Sequence, residues 1–161
     1  NKVIELSKKY NIKIFGDSQC SSQIGLITKF KDFTLLCPNE REARIALQDK
    51  ESGLENINSK LISITNTELL LMKLGAQGFI AFDPSLTGIR SQSFPALSVN
   101  PVDVSGAGDA LLALMATALS TKRRFMDAAA LGCCMAAIAV ENMGNKHINS
   151  FQLKEFVLSS F

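Results

Sequence analysis

The feature that most constrains this chain is the run Asp103-Val104-Ser105-Gly106-Ala107-Gly108-Asp109, which leads without a break into Ala110-Leu111-Leu112-Ala113-Leu114-Met115-Ala116. A turn of small residues followed by an apolar, helix-forming run fixes a helix start, with a carboxylate inside its first turn. Backbone N–H groups at such a start are unpaired donors at the positive end of the helix dipole, so they make an anion site. Gly106 and Gly108 let the backbone approach a ligand closely, and Ala107 keeps the surface small. A carboxylate beside an anion site suits phosphoryl transfer, which needs a cradle for negative charge and a group that takes a proton from the attacking hydroxyl. The same residues also read as a plain tight turn in which Asp109 steadies the helix N-terminus. Asp103, on the extended approach to the turn, tilts the balance toward function.

Two further groups carry chemistry. Pro38-Asn39-Glu40-Arg41-Glu42 follows an apolar run and opens a helix, the place where ligands bind in layered α/β proteins. Asn39 and Glu42 are three apart, so both reach past the helix start. An amide and a carboxylate suit a hydrated Mg²⁺, which keeps most of its waters and takes few protein ligands. The competing reading is a capping box, with Asn39 as N-cap and Glu42 as its partner. Lys73-Leu74-Gly75-Ala76-Gln77-Gly78 ends an apolar run in a cation and two glycines. That segment borders a nucleotide or makes a hairpin turn, and spacing alone favours the turn.

Composition excludes other classes. The 161 residues carry a net charge of +2 with no long basic run, so nucleic acid is not an expected partner. Lys122-Arg123-Arg124 reads as a solvated helix end. Of the four cysteines, Cys20, Cys37, Cys133 and Cys134, no two form a C-x-x-C pair, and His147 is the single histidine, so zinc is not expected. Cys133 and Cys134 sit in an apolar helical run as buried free thiols, which fits a reducing cytoplasm. The longest uncharged stretch, residues 128–140, has 13 residues, too short to span a bilayer. Residues 1–3 show no signal peptide and no initiator Met, so a fragment is expected.

Hydrophobic periodicity predicts helices over 3–10, 39–48, 54–64, 107–120, 125–142 and 151–159. Strands are predicted over 12–15, 33–37, 69–73 and 79–82. The apolar run 69–73 reads as a strand buried on both faces. Residues 18–23 read as a loop, 75–78 as a hairpin-like turn, 84–88 as a further turn and 95–104 as extended. Helix and strand alternate in the first half and helices dominate the last third, an α/β layered pattern in one domain.

In this order and spacing, the three groups resemble the ribokinase (PfkB) family of carbohydrate kinases. Residues 103–109 resemble its D-T-x-G-A-G-D signature, Asn39-Glu40-Arg41-Glu42 its N-x-x-E motif and residues 73–78 its T-L-G-x-x-G segment. Val140-Glu141-Asn142-Met143-Gly144-Asn145 is similar to the segment near the adenine. The likeness runs from about Ile12 to the C-terminus. Within the family, residues 102–109 and 140–144 are most similar to the heptose-phosphate kinase domain of the bifunctional kinase/adenylyltransferase.

The resemblance implies a three-layer α/β/α fold, ATP and Mg²⁺, and a sugar or sugar-phosphate acceptor. Asp109 would be the base, and Gly106, Ala107 and Gly108 the anion hole. Asn39 and Glu42 would hold the Mg²⁺-water network. Lys73, Gly75 and Gly78 would border the nucleotide, with Asn142 and Gly144 near the adenine. Asp103 would lie near the monovalent-cation (K⁺) site of some members. Two departures stand out: Lys73 occupies a position where many members have Thr, and Ser105 replaces a common Thr but keeps the hydroxyl. The N-terminal half of such kinases, with a Gly-Gly motif and most sugar-binding residues, has no counterpart in these residues. The chain is therefore expected to be the C-terminal, nucleotide-binding portion, with an incomplete sheet. It is expected to be inactive alone and to associate with the missing half or with itself. A non-catalytic nucleotide-binding module of the same fold stays open. So does a kinase for a vitamin or nucleoside precursor, although Ala107 stands where such enzymes often carry Cys.

Overall fold

The computed structural model describes residues 2–18, 27–98, 101–144 and 146–160. These divide into two compact units, one of residues 1–75 and 79–93, the other of residues 76–78 and 94–161. In chain order the elements are α1 (Lys2–Tyr10), β1 (Phe15–Gly16), a 3₁₀ turn (Ile27–Lys29), β2 (Leu35–Leu36), α2 (Glu40–Leu47), α3 (Leu54–Thr65) and β3 (Leu69–Lys73). A second 3₁₀ turn (Gly75–Gln77), β4 (Phe79–Phe82), β5 (Ser91–Phe94), α4 (Ala107–Ser120), α5 (Phe125–Val140) and α6 (Ser150–Ser160) follow.

The sheet is open and mixed, with strand order β1-β2-β3-β4-β5. β1, β2 and β3 run parallel, with Phe15 opposite Leu35 and Leu35 opposite Leu69. β3 and β4 are antiparallel, with Lys73 opposite Phe79. The tight 75–78 connection forces that reversal, because parallel neighbours need a long crossover. The crossovers from β1 to β2 and from β2 to β3 bring β1 and β3 to either side of β2. As a result, Asp17, Asn39 and Lys73 all stand at C-terminal strand ends.

The first unit is built on β3. Leu70, Leu71 and Met72 are fully buried, as a strand covered on both faces requires. Leu70 and Met72 join Ile27, Leu36, Ala43, Ile57, Leu61 and Phe82 in one apolar cluster. α2 and α3 pack on each other and on the Ile27–Lys29 turn. Phe30 and Phe33 meet edge to face at 5.4 Å. In the second unit α4 packs along α5, and α5 contacts α6. Gly132 allows that contact: a Cβ there would stand 2.5 Å from Leu111 Cδ1.

Several expectations shift at their edges. The strand expected over 12–15 is paired only at Phe15–Gly16, because Ile12 is exposed. The strand expected over 33–37 narrows to Leu35–Leu36. β5 has no counterpart among the predicted strands, since only Phe94 of its four residues is buried. The helix expected to reach Asn142 stops at Val140. No strand forms among the described residues of 95–104. Cys20 and residues 19–23 of the predicted loop lie outside the described residues, as does Asn145. Cys133 and Cys134 are free and buried as expected, and Cys37 is free and buried as well. Among the described residues, no helix is long and apolar enough to cross a membrane. Nor does any group of three or more His, Cys, Asp or Glu side chains stand ready for a metal.

Candidate functional site

In the first unit, functional side chains gather where β1, β2 and β3 end. The Lys73 N–H donates to Pro38 O at 2.8 Å and the Cys37 N–H donates to Gly16 O at 2.9 Å, so the strand ends are tied side by side. Asn39 begins α2 from this edge as its N-cap. Asn39 Oδ1 accepts from the Glu42 N–H at 2.8 Å, and a Glu42 carboxylate oxygen accepts from the Asn39 N–H at 2.9 Å. The capping box is therefore present, and Glu42 is only 2% exposed. It occupies one of the roughly four lone-pair sites of the carboxylate, so it does not by itself exhaust Glu42 as an acceptor.

Lys73 reaches across β2 to Asp17, with Nζ donating to a carboxylate oxygen at 2.5 Å. Burial pushes the Asp17 carboxyl above its usual range, while Lys73 and the Ser18 N–H pull it down. Burial likewise raises the Cys37 thiol, with Asp17 adding to the effect, so Cys37 is an inert core thiol. Asp17 is the residue that sequence reasoning passed over. It ended a predicted strand after a glycine, but its partner lies 56 positions away. A groove opens from this edge along α2, with Asn39, Arg41, Arg44, Lys73 and Gly75 among its walls. Gly75 takes φ 61° with open space around it. Gly78, by contrast, is fixed by packing: at φ 89°, a Cβ would lie 2.0 Å from Phe94 O.

The second unit carries the 103–109 turn. Gly106 is the N-cap of α4 at φ 77°, in the left-handed region, and no side chain caps this end. Asp109 sits in the first turn and is exposed. Asp103 shapes the approach. One carboxylate oxygen accepts from the Ser105 N–H at 2.9 Å, and the other accepts from the Gly144 N–H at 3.0 Å. Those bonds hold the Asp103 carboxyl below its usual range, the Ser105 bond most of all. The Val102 and Asp103 N–H groups both donate to Val140 O, at 2.7 and 3.1 Å. The turn is thus bound to the end of α5. There Asn142 Nδ2 turns back to donate to Ile138 O at 2.7 Å, and Gly144 takes φ 72°.

Within the first unit the predicted residues Asn39, Glu42, Lys73 and Gly75 therefore fall at one strand edge. Within the second, Asp103, Gly106, Ala107, Gly108 and Asp109 form one turn, which Asp103 ties to Gly144 beside Asn142.

The chain is similar to known proteins in both sequence and fold. Residues 17–150 match the profile of the pfkB family carbohydrate kinases. The chain is 31% identical over 131 residues to the bifunctional protein HldE of Desulfatibacillum aliphaticivorans, covering 79% of this chain and 26% of that protein. It is 32% identical over 155 residues to an uncharacterized sugar kinase of Buchnera aphidicola, covering 94% and 47%. Arabidopsis thaliana ribokinase, solved with ribose and ATP, superposes with a TM-score of 0.80 at 19% identity, over 97% of this chain and 51% of that one. Escherichia coli phosphofructokinase-2, solved with potassium, superposes at 0.79 with 16% identity, over 98% and 50%. The structural likeness establishes a ribokinase-like α/β fold. The chain spans about half of the sugar kinase, the ribokinase and the phosphofructokinase-2, and about a quarter of the bifunctional protein. With its fold and most of its length matched, the chain belongs to the pfkB family of carbohydrate kinases.

Proposed function

We propose that this chain is the nucleotide-binding portion of an ATP-dependent kinase acting on a hydroxyl of a sugar or sugar phosphate. The observation that carries the proposal is the start of α4. Its N-cap is a glycine, no side chain closes it, and a carboxylate stands exposed in its first turn. An uncapped helix start is a ready anion site. Gly106, Ala107 and Gly108 would stabilise the charge on the transferring phosphoryl group with backbone N–H groups. Asp109 would accept the proton of the acceptor hydroxyl as that oxygen attacks.

Asn39 and Glu42 would hold Mg²⁺ through water. An amide and a carboxylate at the start of one helix fit a cation that keeps most of its own water shell. When bound, Mg²⁺ neutralises phosphate charge. Lys73 and Gly75 would border the nucleotide along the strand edge, with Gly78 holding the turn. Asn142 and Gly144 would lie near the adenine. Asp103, already held ionised by backbone N–H groups, suits a neighbouring K⁺. The free buried thiols fit a reducing cytoplasm. The sugar-binding half would come from elsewhere in the native protein or from a self-associated copy, so these residues alone would bind nucleotide without turning over.

The test offers the native protein MgATP with a panel of sugars and sugar phosphates. ADP release that depends on an acceptor supports the reading. Nucleotide binding with no acceptor-dependent release across the panel would favour a binding module of the same fold.

A further inference from the structure

We propose that Asp17 is a positioning residue that holds the Lys73 ammonium at the strand edge as a contact for the phosphates of the bound nucleotide. The inference rests on the nucleotide-binding reading above and deepens it. Its first support is geometry. Lys73 is the last residue of β3 and Asp17 the first after β1, and their side chains meet across the end of β2 at 2.5 Å. This edge holds the C-terminal ends of three parallel strands, where open α/β sheets bind ligands. An ammonium has three donors and Asp17 accepts one, so the pairing fixes Nζ in place while leaving donors for an anion. Both side chains are largely buried but not sealed, at 21% and 14% exposure. Lys73 also lines the groove that opens along α2.

A second observation points the same way. Ser18 is 8% exposed, and its hydroxyl has no hydrogen-bond partner among the described residues. Its own N–H is already committed to Asp17 Oδ1 at 2.8 Å. A buried hydroxyl without a partner is costly unless something else meets it. A phosphate oxygen beside Lys73 would accept from it. The Lys73 N–H donates to Pro38 O at 2.8 Å, and Lys73 pairs with Asn39 in a parallel bridge, so the pair belongs to the same edge as the start of α2. A lone ammonium on a flexible four-carbon stem would sample many positions. Asp17, directly bonded, decides where it stays.

The experiment measures the affinity of the native protein for ATP, ADP and AMP by calorimetric titration. Wild type should bind ATP more tightly than AMP. Lys73→Thr should lose about tenfold for ATP and less than about twofold for AMP, consistent with one charge-assisted phosphate contact. Lys73→Arg, which keeps the charge, should retain most of the preference. Asp17→Asn should narrow the gap between ATP and AMP about threefold, and adding it to Lys73→Thr should narrow it no further. A purely structural tie would lower stability and weaken all three nucleotides alike. That result, or an unchanged preference for ATP in Lys73→Thr, overturns the proposal. If Lys73→Thr does not fold, Lys73→Arg and Asp17→Asn decide the matter by the same gap. Failure of wild type to bind any of the three nucleotides would overturn the nucleotide-binding reading itself, a different outcome from binding without the Lys73 effect.

Discussion

α2 and α4 both begin after a loop, and both carry a carboxylate at the third helical position, Glu42 in one and Asp109 in the other. Their surroundings differ at the N-cap. Asn39 has a side chain that exchanges hydrogen bonds with Glu42, so the start of α2 is closed and its carboxylate buried. Gly106 has no side chain to exchange, so the start of α4 is open and its carboxylate exposed. A helix start with reciprocal caps is tuned for stability. One left open exchanges stability for a site that charge can enter. The difference between Asn and Gly at a single position thus separates a buried, hydrogen-bonded carboxylate from an exposed one.

That contrast between the two helix starts is measurable as stability. Glu42→Ala should cost about 2 kcal/mol in chemical denaturation, because it removes a cap and leaves the Asn39 N–H without its acceptor. A loss below a quarter of that would mean the capping box is not what holds the start of α2. Gly106→Ala should cost about 1 kcal/mol, because φ 77° is unfavourable for any residue with a Cβ. In the native protein the same substitution should also slow turnover, whereas Gly53→Ala, at the uncapped and unstrained start of α3, should not.

Asp103 offers a smaller, pH-dependent effect. Its folded carboxyl is held below the usual range by the Ser105 and Gly144 N–H groups. It therefore stabilises the fold above the unfolded value, and that contribution is lost as pH falls through the lowered folded value. The Ser105 and Gly144 amide resonances should titrate together, with a midpoint below that of an ordinary aspartate. Separate midpoints would break the link between the turn and the end of α5. The smallest effect belongs to Asp109→Ala, whose denaturation midpoint should stay close to wild type, because no cap or partner is lost.

How much of this was legible in the sequence depends on distance along the chain. β3 was readable because four consecutive apolar residues, Leu69 to Met72, end in the cation Lys73. The capping box was readable because its partners are three apart. β5 was not, since Ser91-Gln92-Ser93 gives no apolar alternation and only Phe94 is buried. The Asp17–Lys73 pair was out of reach, because it needs the β1-β2-β3 order that only the folded sheet supplies. Asp103 and Gly144 were each singled out, but they stand 41 positions apart, and it takes the packing of α4 along α5 to bring them together. For Gly78 the sequence suggested a nucleotide contact, and the structure adds a packing reason, the close approach of the Phe94 carbonyl.

The central claim is that the carboxylate at the open helix start is catalytic and does not cap. Its most direct test is Asp109→Asn in the native protein, with acceptor-dependent ADP release and denaturation followed on the same preparation. The account predicts a fall in kcat of about a thousandfold, within the range for a lost general base, with KM for ATP and the denaturation midpoint nearly unchanged. Retained turnover, or a stability loss like that of Glu42→Ala, would contradict it.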